Sequence, residues 1–205
     1  MNSAETRDTP LDTIAAATKA AAGERTIPAA LLYAIAVLVA VLDQFVKVWA
    51  MANLRPLGHT GIAVLPNVFH LTYTQNFGMA FSLLQGQRVF LIAAAVLVMG
   101  GIVWAQRRIG SRVPVLLATS LGLALGGALG NGIDRARLGY VVDLFDARII
   151  NFPIFNVADT AISVGIVLLA WRVAVMPSSD LVPSLKTGDK IPSLAGVGSG
   201  EGTRQ

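Results

Sequence analysis

Residues 126–160 contain Gly126-Gly-Ala-Leu-Gly130-Asn131-Gly-Ile-Asp134-Arg135, then Gly139-Tyr-Val-Val-Asp143-Leu-Phe145, then Phe155-Asn156-Val-Ala-Asp159-Thr160. Asp134, Asp143, Asp159, Arg135, Asn131 and Asn156 thus lie between two long apolar runs. Ionisable groups at a membrane boundary are costly, so a chain that keeps several there is expected to use them. The alternative is a polar extracytoplasmic loop whose acids are merely solvated.

The flanks decide the fold class. Of 205 residues, 54% are hydrophobic and 14% charged, against about 25% charged in a soluble domain. Mean hydropathy is +0.64. Apolar runs over about 29–51, 88–104, 113–130 and 155–176 are each long enough to cross, or nearly cross, roughly 30 Å of hydrocarbon. The predicted fold is a membrane all-α core of four transmembrane helices with a small extracytoplasmic β cradle. Around it stand a cytoplasmic N-terminal extension (1–28) of low order and a Ser-, Pro- and Gly-rich cytoplasmic tail (177–205) that cannot bury a core.

Charge sets the orientation. Lys19, Arg25, Arg107, Arg108, Arg112, Arg172, Lys186 and Lys190 fall on one side of the four spans, and Arg55, Arg88, Arg135, Arg137 and Arg148 on the other. The positive-inside rule puts both termini in the cytoplasm and the acid-rich segments outside. The net charge of +4 is scattered and forms no stripe for a phosphate backbone, so nucleic acid is not an expected partner. There is no cysteine, and the two histidines, His59 and His70, form no zinc-protease pattern. No metal or cofactor is expected.

Within the first span Asp43 and Lys47 are four apart and share a helix face. Either they form a neutralised pair, with Lys47 snorkelling to the interface, or they serve the site. Residues 68–75 alternate Phe69, Leu71, Tyr73 against His70, Thr72, Thr74, which predicts a half-buried strand. His70 is expected to be solvated. Asn76 and Gly78 follow, and Gly78 allows the backbone to turn back toward the bilayer. Short β-like pieces are expected at 140–142 and 148–152. Gly122 and Gly126, four apart, suit close helix packing.

Two converging carboxylates cannot both ionise cheaply, so they share a proton; one then activates water while the other protonates a carbonyl. Asp143 and Asp159 are the best placed pair. Asp134, beside Arg135, suits an ion-paired orienting acid. A Ser–Lys dyad is weaker, because Asp43 keeps Lys47 charged and only Ser82 stands near. Residues 130–134 approach the Gly-x-Gly-Asp signature of presenilin-like proteases, but with one residue inserted and no Tyr-Asp partner.

Five blocks in order carry a closer resemblance: Asp43-Gln44-x-x-Lys47; Asn76-x-Gly78-x-Ala80-Phe81; Gly126-Gly127-Ala128-x-Gly130-Asn131-x-Ile133-Asp134-Arg135; Gly139-Tyr140-Val141-Val142-Asp143; and Phe155-Asn156-x-Ala158-Asp159. With the four spans they cover about residues 29–175. The chain resembles lipoprotein signal peptidase (signal peptidase II), the bacterial membrane aspartyl peptidase family. The resemblance implies an endopeptidase of the cytoplasmic membrane that cuts prolipoproteins before a diacylglyceryl-modified cysteine at the outer leaflet. It implies Asp143 and Asp159 as catalytic dyad, with Asn76, Asn131, Arg135 and Asn156 lining the cleft and Asp43 with Lys47 supporting it. Expected partners are diacylglyceryl-modified prolipoproteins and membrane lipids. Leu144 departs from the family's usual Phe. The rivals are a proton-coupled transporter, for which neither internal repeats nor paired broken helices are visible, and a non-catalytic membrane binding module.

Overall fold

The computed structural model describes residues 25–78, 84–150 and 152–175. Most of the expected N-terminal extension, all of the expected C-terminal tail, and Ala80 and Phe81 of the second block lie outside the described residues. Four helices are long and apolar enough to span a bilayer: α1 (Ala29–Asn53), α2 (Arg88–Ile109), α3 (Val115–Arg137) and α4 (Val157–Val175). Five short strands join them: β1 (Thr26–Pro28), β2 (Ile62–Leu65), β3 (Phe69–Asn76), β4 (Arg112–Pro114) and β5 (Val141–Asp146). This is the multi-pass helical architecture that the apolar runs predict.

Alternation of helix and connection puts the two sheets at opposite ends of the bundle. At one end β1 pairs antiparallel with β4, a clasp that the sequence reading missed. Both strands end in proline, whose missing N–H and fixed φ suit the position before a helix. The first amides of α1 and α3 then find acceptors across the clasp: Ala29 N–H donates to the Ser111 carbonyl and Val115 N–H to the Arg25 carbonyl, at 2.9 and 3.0 Å. At the other end the order is β2-β3-β5, all antiparallel.

α3 is the central helix, packed against α1, α2 and α4. Its glycines make this possible. A Cβ on Gly126 would stand 2.6 Å from the Ala36 carbonyl oxygen on α1, and one on Gly122 would stand 2.8 Å from that of Leu32. On the opposite face a Cβ on Gly127 would run into the Ala158 carbonyl of α4. In a bilayer, where apolar contact with lipid competes with apolar contact between helices, such close approach gains packing that larger residues prevent. The outward faces carry Phe45, Val89, Leu97 and Trp171, all largely exposed.

Several expectations are corrected. α3 does not end at Gly130 but runs on to Arg137, so Asn131, Asp134 and Arg135 sit on a helix and not in a loop. Gly139, at φ +87°, ends that helix and turns the chain into β5. Residues 148–150 form a 3-10 turn, not a strand. Over the first half of β3 the faces are inverted, with His70 and Thr72 buried and Phe69 and Leu71 half-buried, whereas Tyr73 is buried and Thr74 half-buried as the alternation predicts. His70 opposes Asp146 in the β3–β5 register, and the Asp146 carboxylate accepts from Thr72 Oγ1 (3.0 Å) and Arg148 Nε (2.8 Å). Asp146 of β5 holds Thr72 inward, which the alternation of β3 alone does not reveal, while both ring nitrogens of His70 are buried without a hydrogen-bond partner among the described residues.

The close approach of α3 to α1 is testable. Gly126→Val is expected to destabilise the bundle by about 1–3 kcal/mol through overpacking. Thermal unfolding in detergent micelles measures it, with Gly132→Ala, where a Cβ meets nothing within 4 Å, as the neutral control.

Candidate active site

The site grows from one buried cation. Lys47 is 1% exposed and does not reach the interface, so the snorkelling alternative is excluded. Its three ammonium protons meet three acceptors: Asp43 Oδ2 at 2.8 Å, Asp134 Oδ2 at 2.9 Å and Asn131 Oδ1 at 2.9 Å. Asp43 and Lys47 come from one face of α1, and Asp134 and Asn131 from successive turns of α3. The Asp43 carboxylate also accepts from the Ala158 amide in the first turn of α4, at 2.9 Å. Asp134 accepts from Val142 N–H of β5 at 3.1 Å and from Gln44 Nε2 at 2.9 Å. Gln44 is therefore part of the assembly, a role that its place in the Asp43-Gln44-x-x-Lys47 block does not reveal. Asp134 pairs with Lys47 and not with its neighbour Arg135. Arg135 points the other way and donates to the Gly78 carbonyl at 2.9 Å, pinning the chain after β3.

Above this base stand the two remaining carboxylates. Asn156 is the residue before α4. Its side-chain oxygen accepts from the Asp159 amide (2.8 Å), while the Asp159 carboxylate accepts from the Asn156 amide (3.3 Å). This is a reciprocal cap built from Asn and Asp. The Asn156 amide group simultaneously donates to Asp143 Oδ1 at 2.6 Å. One side chain thus ties both aspartates. Asn76 Nδ2 donates to Asp143 Oδ2 at 3.0 Å, and Asn131 Nδ2 to Asp159 Oδ1 at 2.8 Å. Gly78 N–H donates to Asn76 Oδ1 at 2.9 Å, which fixes that amide's orientation.

The structure therefore brings together all ten residues singled out by sequence: Asp43, Lys47, Asn76, Gly78, Asn131, Asp134, Arg135, Asp143, Asn156 and Asp159. They stand at unequal depth. A cavity of about 770 Å³ opens between α2, α3 and α4. Its wall is apolar, with Phe90, Leu91 and Ala94 from α2, Ala128 from α3 and Ile162 from α4. Asn76, Asn131, Arg135 and Asp159 give it one polar end. Asp143 does not line it and is 1% exposed; it lies behind the Asn76 and Asn156 amides. Sequence spacing gave no sign of this cavity, because α2 contributes only apolar side chains to it.

Burial drives the Asp143 carboxyl up to about 7, and the charge on Asp159 pushes the same way. The hydrogen bonds from Asn76 and Asn156 and the charge of Lys47 oppose the rise without cancelling it. Asp143 thus keeps its proton to near neutrality. Among the described residues no group of three or more His, Cys, Asp or Glu side chains is placed to hold a metal ion.

Residues 35–175 match the family model described as Signal peptidase (SPase) II. The lipoprotein signal peptidase of Brevibacillus brevis (strain 47) is 45% identical over 137 residues, 67% of this chain and 90% of that protein. That of Moorella thermoacetica is 44% identical over 138 residues, 67% of this chain and 89% of that protein. A solved bacterial membrane enzyme superposes with a TM-score of 0.65 at 27% identity, covering 79% of this chain and 94% of its own.

The raised Asp143 pKa links proton binding to stability. The folded state holds this proton more tightly than the unfolded chain, so the contribution is complete below the ordinary value of 3.8 and is lost as pH rises through about 7. Asp143→Asn removes that titration. The melting temperature of the variant relative to the parent is expected to rise as pH goes from 3.8 to about 7 and to level off above that, and a pH series of thermal melts in detergent checks it.

Proposed function

The chain belongs to the signal peptidase (SPase) II family, and on that premise we propose that it cleaves prolipoproteins before a diacylglyceryl-modified cysteine with water activated by Asp143 and Asp159. Membership makes it a multi-pass membrane aspartic peptidase that removes signal peptides from prolipoproteins. The finer reading rests on one observation above the rest. Two carboxylates are joined by the Asn156 side chain, Asp159 at the polar end of an apolar cavity inside a bundle of membrane helices and Asp143 buried directly behind it.

The geometry suits an extended peptide delivered from the bilayer. The apolar wall accepts hydrocarbon, whether side chains of the signal peptide or acyl chains of the lipidated cysteine. Acyl chains retained in the bilayer, at roughly 0.8 kcal/mol per buried methylene, fix the depth of the adjacent bond. An extended backbone in this setting finds no water for its amides and carbonyls, and Asn76, Asn131 and Arg135 offer polar partners along the cavity. Metal chemistry is not needed for such a step: one carboxyl group takes a proton from water while the other protonates the scissile carbonyl. A transporter reading has less support, since Asp143 and Asp159 are locked by amides at one end of the bundle and form no chain of acids across it.

We also read the site as facing the outer leaflet. Arg25, Arg107, Arg108 and Arg112 gather at the clasp end with no acid among the described residues there, whereas all five described aspartates lie toward the other end. The positive-inside rule then puts the clasp in the cytoplasm. A reporter fused after Ser178 is expected to score cytoplasmic, and one inserted beside His59 external; the reverse result overturns this orientation.

The central test uses purified protein in lipid with a matched pair of substrates, one bearing diacylglyceryl-cysteine and one the bare thiol. The lipidated substrate is expected to be cleaved with higher kcat as well as lower KM, because positioning energy is realised in the transition state. Asp143→Asn and Asp159→Asn are each expected to abolish turnover while leaving the protein folded, since paired groups act as a unit. Equal rates on both substrates refute lipid-dependent recognition, and turnover by either variant refutes the dyad.

A further inference from the structure

The three asparagines around the carboxylates have no freedom in which way their amides face, and this fixes more than their hydrogen bonds. An ammonium group only donates, so Lys47 obliges Asn131 to turn its oxygen inward, at 2.9 Å. The Asn131 NH₂ must then face Asp159, where it donates to Oδ1 at 2.8 Å. Asn156 Nδ2 adds a second donor to the same Asn131 oxygen at 3.2 Å, reinforcing that orientation. Reversing the Asn131 amide would set NH₂ against an ammonium and an oxygen against a carboxylate.

The two aspartates differ in what surrounds them. Asp159 lies in the first turn of α4, where the exposed amides of the helix N-terminus favour negative charge, and it lines the cavity. It faces Arg135 from α3 and Asp143 from β5. Lys47 and Asp43 of α1 and Asp134 of α3 stand behind Asn131, and α2 presents only apolar side chains to the cavity. Asp143 is buried beside Asp159, its two oxygens accepting from the Asn76 and Asn156 amides.

We propose that Lys47 is a positioning residue for the reaction: acting through the oriented Asn131 amide, it makes Asp159 the proton acceptor and leaves Asp143 as the proton donor. The proposal rests on the dyad reading above. In the first step the water oxygen bonds to the scissile carbonyl carbon, its proton passes to the Asp159 carboxylate, and the Asp143 proton passes to the carbonyl oxygen. In the second step the Asp159 proton moves to the leaving nitrogen as the C–N bond breaks. One hydroxyl of the tetrahedral carbon returns its proton to Asp143. Both aspartates end as they began, and one water is consumed.

The test separates this role from the part that Lys47 plays in holding α1 to α3. Asn131→Leu keeps the Lys47 pairs with Asp43 and Asp134 but removes the relay. Lys47→Met removes both. Each full-length variant is purified into the same lipid, and kcat and KM are followed against pH, with Asp159→Asn as the control. For Asn131→Leu, kcat is expected to fall about tenfold or more. The acidic limb of its profile is expected to move up by about one pH unit, because a group favouring the charged carboxylate is gone. Lys47→Met, where it folds, should move the limb the same way, and the double variant should move it no further. An unmoved limb in Asn131→Leu overturns the relay, whatever the loss of rate, because a purely structural defect lowers the rate without shifting the profile. If Asp159→Asn itself turns over, the dyad reading falls first and the two failures are told apart.

Discussion

A lysine ammonium held out of water inside a membrane bundle is the constraint around which this structure is built. Taking such an ion from water costs several kcal/mol even after relaxation, and a bilayer offers no solvent to recover it. Lys47 therefore has to find a complete set of acceptors within the protein. It finds three, and they come from α1 and α3. Those acceptors in turn hold other parts: Asp43 takes the first turn of α4, and Asp134 takes the backbone of β5. One charge thus fixes the relative position of three helices and a strand at the end of the bundle where the candidate site lies.

Packing and polarity are coupled here. The same run of α3 that carries Asn131 and Asp134 carries Gly126, Gly127 and Gly130. A Cβ on Gly130 would stand 2.5 Å from the Asp43 carboxylate. Small residues therefore do more than let helices approach. They let a carboxylate of α1 sit against the α3 backbone, close enough for Lys47 to bridge both helices. Helix contact within lipid and satisfaction of the buried ions are achieved by the same residues.

The second tier uses amides where the first uses charges. Asn76, Asn131 and Asn156 each have one end committed to an unambiguous partner: a backbone N–H of Gly78, the Lys47 ammonium, or the Asp159 N–H. Each then presents NH₂ to a carboxylate. Asparagine suits the task because its two ends differ, so fixing one determines the other. Asp143 and Asp159 consequently meet different surroundings, one buried under two amides and one lining an apolar cavity. Two chemically identical side chains acquire separate characters from their depth and their neighbours.

Much of this was written in the sequence. Four apolar runs, a chain with few charges and a cluster of polar residues between the last two spans determined a four-helix membrane fold with a site at one end. Such features are local: length sets whether a helix crosses a bilayer, and the cost of burying a charge marks the exceptions. The i, i+4 spacing of Asp43 and Lys47 foretold their pairing, and the spacing of Gly122 and Gly126 foretold a close helix contact. Tertiary structure decided what spacing does not encode. Asp134 turned from its neighbour Arg135 to a lysine 87 positions away in sequence, because adjacent residues on a helix point in different directions. The clasp of β1 and β4 gave no hydrophobic pattern to read, being three residues on each side and held by backbone groups. Thr72 went inward because Asp146 of β5 lies beside it, a fact absent from the alternation of β3. The cavity wall is made of alanines, leucines and phenylalanines indistinguishable in sequence from those facing lipid, and only the packing of α2 against α3 and α4 determines which of them line the space beside Asp159.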